Sequence, residues 1–206
     1  MDMKQHWEQV YATKASDNVS WFQQQAYLSL ALIHQTAVAK DAAIIDVGAG
    51  ASNLVDGLAA ERYTNLSVLD LSSAALDVAK QRLGKHAEAV HWIVGDITKT
   101  SIPVNYFDIW HDRAVFHFLT DPTYRQAYVE QVKRSVRAHG HVIIATFSED
   151  GPEKCSGLPV IRYSPKTLHA ELGNDFLLVK QEKEAHHTPS GSIQQFVYCC
   201  FQYSPK

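Results

Sequence analysis

Ile44-Ile45-Asp46-Val47-Gly48-Ala49-Gly50-Ala51-Ser52 reads as a short apolar run that ends in an acid, then a Gly-Ala-Gly turn, then a residue able to cap a helix. This is the pattern of a buried strand handing over to a helix. A turn with almost no side chains lets a ligand approach the backbone, and the free N–H groups of the new helix point at it.

Working outward, the spacing of Tyr27, Leu28, Ala31, Leu32 and Val38 predicts a helix over about 24–40. The run Ala42 to Val47 fits a strand covered on both faces of a parallel sheet. Ser52 caps a helix to about Glu61, with Leu54, Val55 and Leu58 inward. Leu66 to Leu71 is a second strand bearing Asp70, and Ser72-Ser73 opens a helix that Gly84 ends. His91 to Val94 is a third strand before Gly95-Asp96, and Phe107 to His111 a fourth before Asp112-Arg113. Asp121-Pro122 starts a helix on the repeat Tyr124, Tyr128, Val132, Val136, with Gly140 as its stop, and His141 to Phe147 is the fifth strand. Strands alternating with helices imply right-handed crossovers and a parallel sheet. The tail differs. A helix near Pro165 to Leu172 precedes two strand-like runs, Phe176 to Lys183 and Gln195 to Gln202, joined by Thr188-Pro189-Ser190-Gly191. The fold class read here is therefore α/β: a Rossmann-like, doubly wound, mainly parallel seven-stranded sheet with a C-terminal antiparallel β-hairpin.

The 206 residues, 46% apolar and 20% charged, suit a single globular domain over 1–206. A formal net charge of −3 without a basic block argues against nucleic-acid or membrane partners. Cys155, Cys199 and Cys200 form no disulfide framework, and the N-terminus lacks the apolar core of a signal peptide, so a cytoplasmic setting is expected. The histidines show no metal-ligand spacing, so no metal is expected. Residues 1–23 carry Trp7, Tyr11, Trp21 and Phe22, either packing a short helix onto the domain or closing over a pocket as a lid.

Ligands of open α/β sheets bind beyond the carboxyl ends of the strands, at the switch point. The suggestive residues fall there: Gly48, Ala49 and Gly50 after strand one, Asp70 at the end of strand two, Asp96 after strand three, Asp112-Arg113 after strand four. An acid ending strand two accepts hydrogen bonds from ribose hydroxyls. The turn separates the possible nucleosides. A dinucleotide site wants a third glycine beside the pyrophosphate, but position 53 is Asn and the next glycine is Gly57. S-adenosylmethionine (SAM) has no phosphate and needs no third glycine, and its ammonium and sulfonium favour acids such as Asp46.

Over residues 40–147 the chain resembles the class I SAM-dependent methyltransferases, through IIDVGAGAS, LDLS, GDIT and FDIWHDRAVFHFL. The resemblance implies a SAM cofactor. Gly48, Ala49 and Gly50 would border its methionine part, which Asp46 would help orient. Asp70 would hold the ribose, and Asp96 the adenine amino group with Ile97 beside it; Ser52, Leu71 and His111 complete the expected cofactor-binding set. The N-terminal HWEQVYATKASDNVSWFQ is similar to a subgroup of small single-domain methyltransferases with an SWF segment, and more distantly to protein lysine methyltransferases. The relatives acting on lysine carry an acid-lysine-glycine pattern where this chain has Asp112-Arg113-Ala114. Within one domain, 1–23 would be an arm or lid, 40–147 the SAM-binding core, and 148–206 the substrate-side loop and hairpin.

Methyl transfer needs alignment and a dry site, and a base only where the acceptor must lose a proton. Asp112, Arg113 and His117 are the catalytic candidates. Each also has a plainer reading: an ion pair shaping the loop for the first two, a packed core histidine for the third. Trp21, Phe22, Arg113, His117, Cys155 and Tyr163 are the candidates to line the acceptor site, Cys155 from a long loop after strand five. The acceptor expected is a small molecule. A protein side chain is the alternative, followed by a SAM-binding module without turnover and a nicotinamide-dependent oxidoreductase.

Overall fold

In the computed structural model, residues 3–13, 15 and 17–206 are described. Residues 1, 2, 14 and 16 of the expected arm lie outside them. Helix α1 (Met3–Thr13) and a coil lead to α2 (Tyr27–Gln35). Then β1 (Ala43–Val47), α3 (Leu54–Ala60), β2 (Asn65–Asp70), α4 (Ser73–Leu83) and β3 (Val90–Val94) alternate. After β4 (Phe107–Arg113) come a 3-10 turn at Phe116–Phe118, α5 (Pro122–Ser135) and β5 (Val136–Phe147). A small hairpin of β6 (Lys154–Cys155) and β7 (Leu158–Pro159), α6 (Pro165–Leu172), and the long pair β8 (Phe176–His187) and β9 (Ile193–Tyr203) complete the chain.

The seven-stranded sheet has the order β3-β2-β1-β4-β5-β9-β8. Its first five strands run parallel, and β9 and β8 join antiparallel as the C-terminal hairpin. Strand order reverses between β1 and β4, so the switch point lies where Asp46 pairs in register with His111. Side chains alternate between the two faces of a strand. Ile44, Val68, Ile109 and Ile143 pack with α2, α3 and α4. Ile45, Trp110, Val142 and Ile144 pack with α5 and α6. By that alternation Asp46 and His111 face α2, whereas Asp112 faces α5.

The structure changes several boundaries. Helix α2 is shorter than 24–40 and its inward stripe is shifted: Leu32 is buried and Leu28 and Val38 pack against the core as read, joined by buried Ser29 and Ile33, while Tyr27 is 72% exposed. Its apolar stripe continues through Ala26, which packs in the same cluster. Strand β4 runs on to Arg113, so Asp112 and Arg113 lie within it. Helix α5 ends at Ser135 rather than Gly140, because Val136 is extended and pairs with Phe107. Burial of Val136 satisfies the every-fourth-residue apolar pattern as well in a strand as in a helix. Of the caps read from the sequence, Ser72 accepts from Ala75 N–H and Asp121 from Thr123 N–H, whereas the N-cap of α3 is Asn53 rather than Ser52 and makes no side-chain cap bond. Among the described residues, no helix is long and apolar enough to cross a membrane, and the three cysteines are unpaired and buried.

The turn after β4 is tied to this fold through Asp112, whose carboxylate accepts from Val115 N–H (2.9 Å), Phe116 N–H (3.1 Å) and the Tyr128 hydroxyl (2.6 Å). That hydroxyl in turn accepts from Trp110 Nε1–H at 2.8 Å. Tyr128→Phe leaves a buried carboxylate and a buried indole short of one partner each. It is expected to lower unfolding free energy by about 2 kcal/mol in urea titrations. An unchanged midpoint and slope would remove the network from the account of stability.

Candidate functional site

Two cavities open at the carboxyl ends of β1, β2 and β4. The larger, about 670 Å³, is bordered by Asp70, Leu71, Asp96 and Ile97 on one side, and by Trp7, Trp21, Phe118 and Cys155 on the other. The smaller, about 50 Å³, is bordered by Ser29, Asp46, Ala49, Ser52, His111 and Phe22. Trp21, Gly48 and Arg113 border both and so form the partition.

The glycine turn is built for close approach. Gly48 (φ +62°) and Gly50 (φ +55°) adopt left-handed backbone, and a Cβ on Gly48 would lie 1.9 Å from Val115 Cγ2. Gly48 N–H and Ala49 N–H both donate to Leu69 O, at 2.6 and 3.2 Å, which locks the turn against the end of β2. Gly50 lines neither cavity. Its N–H donates to Asp70 Oδ2 (2.7 Å), and Ser72 N–H donates to Oδ1 (2.8 Å). A carboxylate offers about four lone-pair sites, so Asp70 keeps capacity for two further donors on the cavity side. Burial pushes its pKa up to about 6 against the pull of those two N–H groups. Asp96 differs. Partial burial opposes its charge, but the Thr98 hydroxyl and N–H and the Lys99 ammonium outweigh that and hold it below the usual range.

Asp46 and His111 face the smaller cavity together. His111 Nδ1 lies 2.7 Å from Asp46 Oδ1, and Nε2 lies 2.9 Å from the Ser29 hydroxyl. Asp46 Oδ2 is buried with no hydrogen-bond partner.

The catalytic candidates divide. Asp112 and His117 are fully buried and border neither cavity. This corrects their placement as residues poised on the acceptor. Asp112 is turned toward α5 by strand alternation, and burial pushes it up to about 6. His117 Nδ1 accepts from Phe147 N–H at 3.3 Å, and burial, then the Arg113 charge, pushes its pKa down to about 3. Arg113 does border both cavities, but it is also a strap. Its Nε–H donates to the Tyr198 hydroxyl (2.7 Å), Nη1 to Trp21 O (3.0 Å) and Nη2 to Glu184 Oε2 (3.4 Å).

Of the acceptor-side candidates, Trp21, Phe22 and Cys155 border a cavity, whereas Tyr163 is buried against Phe116 and borders neither. Burial pushes the Cys155 thiol up to about 12, so it stays protonated at neutral pH. Sequence reasoning missed Ser29, Glu184 and Tyr198. Ser29 could have been flagged as a polar residue inside an apolar helix. The other two reach the site only through sheet pairing, which leaves no local signal.

The N-terminal arm roofs the larger cavity. Trp7 meets Trp21 and Phe118 edge to face, with ring centroids 5.4 and 5.3 Å apart. Trp21 Nε1–H donates to the Tyr11 hydroxyl at 3.3 Å. Glu8 clamps the start of α4, accepting from Ser73 N–H (2.8 Å), Ala74 N–H (3.2 Å) and the Ser72 hydroxyl (2.9 Å).

A family model described as a methyltransferase domain matches residues 45–144, the stretch from β1 to β5 that builds these cavities. Residues 45–144 thus match a methyltransferase domain, and the fold around them is that of the SAM-dependent methyltransferases. The fold is shared with solved structures of low identity. One belongs to a study of disulfide-to-thioacetal conversion in echinomycin biosynthesis (TM-score 0.78, 17% identity, 98% of this chain and 92% of that one). A second is a SAM-dependent methyltransferase from Methanosarcina mazei (0.69, 15%, 85% and 98%). A third is 1,6-didemethyltoxoflavin-N1-methyltransferase of Burkholderia thailandensis (0.66, 17%, 88% and 80%). No curated protein matches the chain by sequence.

The methyltransferase domain holds His117 neutral, which has a measurable cost in acid. The folded state takes no proton there until about pH 3, while the unfolded chain takes one from its ordinary value of 6.5, so this group's contribution to stability is lost as pH falls below 6.5. Asp70 and Asp112, held up at about 6, act in the opposite sense, and comparison with a variant isolates the histidine. His117→Gln keeps an acceptor for Phe147 N–H but does not titrate. Urea titrations should show the wild type's advantage over this variant shrinking from pH 7.5 to 5.0, by up to about 1.4 kcal/mol per pH unit below 6.5. A constant difference would contradict the neutral, buried assignment.

Proposed function

We propose that the protein transfers the methyl group of SAM to a small-molecule acceptor held in the larger cavity, under the aromatic roof of the N-terminal arm. The observation that carries this reading is that an acidic, hydrogen-bond-accepting wall, Asp70 and Asp96, and an aromatic wall, Trp7, Trp21 and Phe118, border one cavity of about 670 Å³. That volume lies within the range of small-ligand pockets.

In this reading the ribose hydroxyls donate to the free lone pairs of Asp70. Leu71 and Ile97 flank the adenine, whose amino group donates to Asp96. Asp46, Ala49, Ser52 and His111, which line the smaller cavity beyond Gly48, would hold the amino-acid end. Bound SAM supplies an activated methyl group on a sulfonium. The chain supplies position and dryness: Val115 and Gly48 set the approach, and Trp21 and Phe118 exclude water.

The same geometry argues against Asp112 and His117 as bases for the acceptor. Asp112 is held by three donors and His117 is sealed in the core, and neither borders the cavity. An acceptor that attacks with a lone pair already free needs no base, and its proton, where it has one, leaves to solvent afterwards. Arg113 serves as the strap between arm, β4 and hairpin while facing the donor. Phe22 and Cys155 line the site without chemistry, and Tyr163 supports it from the core. The 1,6-didemethyltoxoflavin bound by the Burkholderia methyltransferase supports an acceptor of this size. We read 1–206 as one domain with 1–23 as its arm, 40–147 as the SAM-binding core and 148–206 as the hairpin that anchors it, working in the cytoplasm without nucleic-acid, membrane or metal partners.

Isotope-labelled SAM incubated with enzyme and cell extract tests the acceptor class. Label is expected in the small-molecule fraction. Label in the protein fraction would replace this reading by a protein side-chain acceptor, and absence of transfer with SAM bound would leave a binding module.

A further inference from the structure

We propose that Ser29 and His111 are positioning residues that aim one oxygen of Asp46 at the ammonium group of the donor's amino-acid end. The inference rests on the donor placement above. It adds a reason for a histidine and a serine that the methyl-transfer chemistry does not otherwise use.

The three side chains come from three elements: Asp46 from β1, His111 from its register partner on β4, and Ser29 from α2, which covers both. All three are almost fully buried, at 3%, 2% and 1% exposure. A carboxylate can only accept, so His111 Nδ1 must carry the hydrogen that bridges to Asp46 Oδ1. In the neutral ring Nε2 is then an acceptor, and the Ser29 hydroxyl donates to it. The order of groups is that of a nucleophilic triad, but the unsatisfied atom is at the opposite end. Ser29 is hydrogen-bonded, whereas Asp46 Oδ2 is buried without a partner. A buried carboxylate oxygen with no donor is costly, and Asp46 is one of the residues lining a cavity of about 50 Å³. An entering ammonium would supply the missing donor with its charge. Arg113 borders the same cavity and carries the charge that complements the carboxylate of a zwitterion. The cavity therefore suits an α-amino-acid head group, with the Ser29–His111 pair fixing the rotamer of the carboxylate that reads its amine.

The test compares two ligands that differ only in that amine: S-adenosylhomocysteine and its deaminated analogue, titrated by calorimetry into wild type, His111→Phe and Ser29→Ala. Wild type should prefer the amine-bearing ligand by about tenfold or more, as expected for one charge-assisted hydrogen bond. In His111→Phe the preference should collapse to within about threefold while affinity for the deaminated analogue is retained. Ser29→Ala, the milder change, should move in the same direction and carries the test if His111→Phe does not fold. An undiminished preference in both variants overturns the proposal, and so does an equal loss for both ligands, which marks a merely structural role. Failure of wild type to bind either ligand would instead refute the donor placement, and this inference with it.

Discussion

Removing a carboxylate from water at the end of a buried parallel strand is expensive unless donors replace the water. This chain does so three times, with Asp46, Asp70 and Asp112 at the ends of β1, β2 and β4. The compensation is graded. Asp112 receives three protein donors and becomes structural. Asp70 receives two backbone N–H groups and retains lone pairs on its cavity side. Asp46 receives one histidine, and its second oxygen is left bare. The two less compensated acids border the cavities, and the most compensated one does not. That gradient is the basis for the proposed placement of a ligand carrying hydroxyls and a cation.

The second organising feature is how the N-terminal arm and the C-terminal hairpin, the two parts outside the alternating core, meet across the site. Arg113 joins them, bonding Trp21 O on one side and Tyr198 and Glu184 on the other. Gln23 Nε2 donates to Glu184 Oε1 at 2.9 Å, and His186 Nε2 lies 2.8 Å from Ser20 O. The guanidinium also sits over the Phe196 ring, 4.4 Å from its centroid. A charge shared among a helix arm, a central strand and an edge hairpin couples the roof of the cavity to the sheet.

Much of this was legible in the sequence, because it rests on local chemistry. Gly48 and Gly50 announced a turn with left-handed backbone, Asp70 and Asp96 marked strand ends, and Ser72, Asp121 and Gly84 punctuated helices. Asn53 in place of a third glycine separated SAM from a dinucleotide. What failed was non-local. The pattern Tyr128, Val132, Val136 fits a continuing helix as well as a helix handing over to a strand, and the pairing of Val136 with Phe107 decided it. Asp112 looked catalytic because its side-chain partner, Tyr128, lies 16 positions away. Counting from Ile109 by strand alternation would already have placed it on the face away from Asp46. Ser29 was passed over because an apolar stripe was sought in α2, and its partner lies 82 positions away.

The account turns on one claim: a single elongated ligand bridges both cavities past Gly48. A crystal structure of the protein with S-adenosylhomocysteine measures this directly. The account predicts ribose hydroxyls on Asp70 and the amino-acid end between Asp46 and Arg113, with Trp21 above the sulfur. An amino-acid end turned away from Asp46, or a ligand confined to the larger cavity, would contradict it.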